Sequence, residues 1–143
     1  MYFPDLTPYE YYVKADDKPA LNIGWLDAAH DFPKGVPPDG LIARLRFLSQ
    51  NRVNQMRGFQ MCGFCPKLKI FDQPFTWTDG DKALYQACFT DGRFSSAEIR
   101  VEGQNGRIYA SPVMVAHYIE AHGYLPPQEF IEAVMQIVLP QSN

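Results

Sequence analysis

The sequence predicts an α+β fold, a small mixed domain with a short antiparallel sheet and about three helices, and three features carry that reading. In AEIRVEGQNGRIYASP two alternating apolar runs flank Asn105 and Gly106, the signature of a hairpin. In the runs after Gly40 and Pro127, apolar residues recur at three and four, the period of an amphipathic helix, and a Ser-Pro start with a glycine stop marks a third helix. Cys62 and Cys65, on a turn, are answered far along the chain by His117 and His122. Two thiols and two imidazoles are the N/S ligand set of a structural zinc.

The first forty residues read as an irregular lead around LNIGWLDAAHDF, with an extended run over 21–26 interrupted by Gly24. A glycine inside a strand marks a bulge or a close approach of another element. Trp25 is expected to anchor the core. PKGVPPDG is a loop, and Asp39 and Gly40 place a helix start behind it. Leu41, Ile42, Leu45 and Leu48 then form one apolar stripe, with Arg44 and Arg46 beside it. GFQM leads as an extended piece into the cysteines. Between the two Asp-Gly steps ALYQACF reads as a strand, with Phe75 and Trp77 in a strand before it.

Ile99 and Val101 are expected on one face of the hairpin, against Ile108 and Ala110 or their neighbours. Ser111 followed by Pro112 suits the cap and first turn of a helix that runs to His122 and stops at Gly123. A further helix is expected from Pro127, carrying Phe130, Ile131, Val134, Ile137 and Val138 and ending before Pro140.

At 143 residues with 46% apolar composition, the chain is long enough to bury one core, so residues 1–143 are expected to form a single domain. Ten Phe, eight Tyr and two Trp beside twelve Pro predict loops pinned by rings. No apolar run is long enough to cross a bilayer, and MYFPDLTPYEYY lacks the basic and apolar regions of an export signal; the expected location is cytoplasmic. Three cysteines, an odd number, argue against a disulfide framework.

The net charge of −3 hides a segregation. Residues 40–71 carry Arg44, Arg46, Arg52, Arg57, Lys67 and Lys69 with no acid, while both flanks are acidic. Such a patch attracts phosphate or an acidic partner, unless these bases pair with the chain's own carboxylates. Nucleic-acid binding through residues 44–69, with Phe59 and Phe64 as stacking rings, is one alternative. A pI near 5.5 sits poorly with a polyanion as principal partner.

An isolated C-x-x-C admits three readings: metal ligands, a thiol redox pair, or small core residues. A redox pair needs a helix terminus behind it, and KLKIFDQP reads as strand-like instead. The His-x4-His spacing matches zinc sites at helix ends, although residues five apart lie about 140° round a regular helix and converge only where the last turn changes pitch. The lesser alternative is that His117 is a core histidine and His122 a C-terminal cap. His30 and Cys88 are reserve ligands.

Four protein ligands close a zinc and leave no place for water, which makes the site structural. An enzyme needs an open position and a base; Glu120, Glu129 and Glu132 are the carboxylates in range. No H-E-x-x-H, glycine-rich phosphate loop, G-x-S-x-G or deaminase pairing is present. A metal-dependent hydrolase or a thiol redox protein are the catalytic alternatives.

The combination GWL, RGF-x-x-C-x-F-C, EIRV and HYI-x-x-HGY-x-PP-x-EFIEAV resembles a family of small uncharacterised bacterial proteins. The resemblance falls on Gly24, Trp25, Leu26, Arg57, Gly58, Cys62, Cys65, Glu98, Ile99, Tyr109, Pro112, His117, Tyr118, His122, Tyr124, Pro126, Pro127 and Phe130, and departs over 67–95. Gln60 stands where that family commonly has a histidine, so the resemblance brings no ligand to position 60. It implies a single domain with this ligand set and supplies no activity. The expectation is a non-catalytic, zinc-stabilised domain that binds another protein, as immunity or adaptor proteins do. Arg44, Arg52, Arg57, Phe59 and Phe64 are the candidate contact residues, since Arg and aromatic side chains dominate interface energetics.

Overall fold

The computed structural model describes residues 2–10, 18–51, 60–65, 76–90, 94–95 and 97–140. Its centre is the hairpin of β4 (Glu98–Glu102) and β5 (Ile108–Pro112), antiparallel with Ile99 opposite Ser111 and Val101 opposite Tyr109. A short β1 (Leu21–Asn22) pairs parallel with the other edge of β5, giving the order β1-β5-β4. The lead then lies antiparallel along β1: Leu6 N–H donates to the Asn22 carbonyl, Asn22 N–H to Thr7, and Tyr9 N–H to Ala20. A separate two-stranded pair joins β2 (Gln60–Met61) to β3 (Phe94–Ser95).

Alternation along β5 divides the interior in two. Tyr109 and Ser111 face the main core, where Ile99 and Val101 meet the helices. Ala110 and Ile108 face a smaller cluster of Trp25, Tyr9, Ala20 and Phe3. Trp25 is the expected anchor: it is buried and its indole Nε1–H donates to the Ala110 carbonyl at 3.0 Å. Beside it, buried Glu98 accepts from the Tyr9 hydroxyl at 2.6 Å and from Arg100 at 2.9 Å. The Arg100 guanidinium lies over the Tyr9 ring, so the buried carboxylate is paired.

Three of the helices cover the main core. These are α1 (Leu41–Leu48), α3 (Val115–His122) and α4 (Gln128–Met135), with α1 against both α3 and α4. Leu41 and Leu45 are fully buried, as the stripe predicts, and so are Phe130 and Val134 of α4. Val138, expected on that stripe, lies beyond the helix and is 86% exposed.

The remaining helix, α2 (Asp79–Thr90), corrects the expectation of a strand through ALYQACF. Thr78 and Asp81 form a capping box: Asp81 N–H donates to Thr78 Oγ1 at 3.1 Å, and Thr78 N–H to Asp81 Oδ2 at 2.9 Å. The first Asp-Gly step is thus the first turn of a helix. Trp77 precedes it outside any strand, its ring 5.0 Å from that of Tyr85; Phe75 lies outside the described residues.

The start of α3 is also displaced. Ser111 and Pro112 complete the ladder opposite Ile99 and Glu98 instead of capping a helix, which begins after a turn at Met114. At its far end Gly123 takes φ 72°, the left-handed C-terminal conformation expected of it.

Candidate metal centre

Two segments build the site. The first is the turn after β2 that carries Cys62 and Cys65; the second is α3, with His117 in its first turn and His122 at its end. The Gly123 and Tyr124 N–H groups both reach the Tyr118 carbonyl, five and six residues back. That closing turn is wider than the regular one, and a wider turn reduces the angle between residues five apart. The two imidazoles meet at 5.1 Å between centroids, nearly perpendicular.

The four ligand atoms converge. Cys62 Sγ lies 3.3 Å from His122 Nε2, and Cys65 Sγ lies 3.2 Å from His117 Nε2 and 3.4 Å from His122 Nε2. All four are within 4.8 Å of one another. Tetrahedral zinc with bonds of about 2.3 Å to sulfur and 2.0–2.1 Å to nitrogen needs sulfur–nitrogen edges of roughly 3.5 Å. The cluster is therefore within a few tenths of an ångström of the size such an ion requires, and it can coordinate a metal.

Local chemistry favours the Cys62 thiolate only when a cation is present. Cys62 and His117 are buried. Burial pushes the Cys62 thiol up to about 11, opposed by the Phe64 and Cys65 backbone N–H groups that point at its sulfur. Those amides are what a turn offers a metal-bound thiolate. A redox nucleophile needs the opposite, a thiol pushed down.

Rings enclose the cluster. Phe64, between the two cysteines, packs 5.3 Å from His122 and 5.9 Å from Tyr118, with Phe32 at 5.1 Å on its other side. The proximity of Tyr118 to both sulfurs is an addition to the sequence reading. Burial first, then the two cysteines, keep its hydroxyl protonated well above the usual tyrosine range. The strand-like pairing of 33–35 with 123–125 braces the His122 end, through Gly35 N–H to the Gly123 carbonyl at 3.1 Å and Leu125 N–H to Pro33 at 2.9 Å. Tyr124 adds a bond to Asp5 at 2.8 Å, which in turn accepts from Gly24 N–H.

The other candidates lie elsewhere. His30 stacks on Tyr2 and bonds Asp27 at 2.7 Å, outside the cluster. Cys88 stands on α2, and its side chain is outside the described part. Glu120 is paired with Arg46 at 2.6 Å and Glu129 with Arg107 at 2.7 Å, while Glu132 accepts from Gln128 at 3.4 Å. Arg44 donates to the Ile137 and Gly40 carbonyls. The basic stretch thus spends Arg44 and Arg46 on its own chain; Arg52, Arg57, Phe59, Lys67 and Lys69 lie outside the described residues. Among the described residues no helix is long and apolar enough to cross a membrane.

A family model described as a domain of unknown function, DUF7919, matches residues 1–135. The chain belongs to that DUF7919 family. Its matched span takes in all four clustered side chains together with the hairpin and α1 to α4. No curated protein and no solved structure matches the chain.

Proposed function

We propose that residues 1–143 form one zinc-stabilised α+β domain without catalytic activity, which acts by binding another protein. Cys62, Cys65, His117 and His122 are its zinc ligands. The observation that carries this reading is the convergence of two sulfurs and two imidazole nitrogens within 4.8 Å from segments distant in sequence. With four protein ligands the ion has no site for water, so its role is to tie the turn after β2 to α3 and to add its binding energy to folding.

The non-catalytic reading is supported by the carboxylates. Glu120 and Glu129 are committed to Arg46 and Arg107. The protein-binding reading rests on the basic, ring-bearing stretch of sequence over 44–69, with Arg52, Arg57 and Phe59 as its contact residues. Phe64 serves the metal centre, and Arg44 sits at the margin of the segment. On this reading the chain is a cytoplasmic bacterial protein of the immunity or adaptor type, with the HYI-x-x-HGY-x-PP segment as the helical half of its zinc motif.

Affinity capture from lysate with the intact protein and with Arg52→Ala and Arg57→Ala tests the partner. A protein retained by the intact chain and lost from both variants, with zinc content unchanged, supports the reading. Retention of nucleic acid with steep salt dependence would replace it by the polyanion alternative.

A further inference from the structure

We propose that the zinc site is also a peroxide-responsive latch, in which oxidation joins Cys65 to Cys62 and ejects the ion; this rests on the zinc reading above. Three features of the site point to it. Cys65 is half-buried while Cys62 is buried, so Cys65 is the more accessible of the two ligand cysteines to a small solute. The two sulfurs lie within 4.8 Å on one tight turn, close enough to bond after a small shift of that turn. The other two ligands are imidazoles, which do not join this oxidation, and two nitrogens alone are too few to retain zinc.

The oxidant is a hydroperoxide. The Cys65 thiolate attacks the terminal peroxide oxygen, the O–O bond breaks, and Cys65 becomes a sulfenic acid as the departing oxygen takes a solvent proton to leave as water or an alcohol. The Cys62 thiolate then attacks the Cys65 sulfur, forming the S–S bond and expelling hydroxide, which takes a second proton. Two electrons pass from the sulfurs to the peroxide, and zinc leaves as the divalent ion.

The position of the site gives the release a structural effect. Among the described residues, the turn that carries the cysteines is also held by the two-residue pairing of β2 with β3 and by Phe64, which packs on Phe32 and Tyr118. The hairpin and its helices have their own core. Zinc loss therefore loosens the turn and its Phe64 cover, which keep only these contacts, while the sheet persists.

The test is titration of the zinc-loaded full chain with hydrogen peroxide, reading released zinc with a chromophoric chelator and mapping disulfides by peptide mass spectrometry. The expected result is one Cys62–Cys65 disulfide per zinc released, full recovery of zinc binding on thiol reduction with added zinc, and new chymotryptic cleavage at Phe64. Zinc retained while peroxide is consumed overturns the latch and leaves the zinc reading standing. So does release with sulfinic acid or a disulfide to Cys88. Protein that isolates without zinc and takes up none overturns both.

Discussion

His117 Nε2 lies 3.2 Å from Cys65 Sγ across 52 residues of chain, and this contact joins the turn after β2 to the helix that closes the main core. The distance is that of a direct polar contact between thiol and imidazole, and it also suits two ligands of one ion. Several consequences can be measured.

Zinc removal should destabilise the domain without erasing its sheet. An ion held at a hundred times its dissociation constant contributes about 2.7 kcal/mol, which for a domain of this size corresponds to roughly 10 °C in Tm. Calorimetry before and after chelation is expected to show a fall of at least that size, and Cys62→Ser should show the same fall with no further response to chelator. An unchanged Tm would mean that the cluster holds nothing.

Gly24 and Gly123 both adopt positive φ, yet their replacement should cost different amounts. A Cβ on Gly123 would meet nothing within 4 Å, so Gly123→Ala pays only the left-handed backbone penalty of about 1–2 kcal/mol. A Cβ on Gly24 would stand 2.9 Å from Val115 Cγ2, in the buried start of α3. Gly24→Ala should therefore lose more in urea titration; the reverse order would show that the close approach to Val115 is relieved at no cost.

Alkaline pH should unfold the protein through its buried tyrosines. Burial raises Tyr9, Tyr118 and Tyr124 above their ordinary value of 10.0, with Glu98, the two cysteines and Asp5 respectively adding to it. Above that ordinary value the unfolded chain releases these protons while the folded chain keeps them. Fewer protons on the unfolded state make stability fall with pH, by up to about 1.4 kcal/mol per pH unit for each tyrosine. Their contribution is complete below about pH 10 and is lost as pH rises through the folded values. Denaturant midpoints should begin to fall as pH approaches 10 and drop steeply above it; a flat profile above pH 10 would contradict the burial of these hydroxyls.

Two polar contacts should differ sharply when broken. Tyr9→Phe removes a donor from the buried Glu98 carboxylate and should cost about 1.5–3 kcal/mol. Arg46→Ala breaks an exposed pair with Glu120 and should cost less than about 1 kcal/mol. Equal losses in urea titration would deny the buried network its role.

The parts of this molecule that were legible in sequence are those where one physical signal dominates. Alternation fixed the Ile99 and Val101 face, the three-four period fixed the helix of Leu41 and Leu45, and spacing of cysteines and histidines marked the cluster. The helix over Asp79–Thr90 escaped because two Asp-Gly steps and two rings suggest turns and strand, while the decisive signal, Thr78 with Asp81 three residues on, is a capping box. Ser111 and Pro112 misled in the opposite way: a good cap was overruled by pairing with Ile99 and Glu98 across the ladder. The ring cover of Phe32 and Tyr118 depends on tertiary packing, which no local pattern reports.

The most direct test of the proposed zinc site is metal analysis with zinc-edge X-ray absorption on protein purified without added metal. The account predicts one zinc per chain, with two sulfur neighbours at about 2.3 Å and two nitrogen neighbours at about 2.0–2.1 Å. Folded protein that contains no zinc, takes up none, and titrates both Cys62 and Cys65 freely would contradict it.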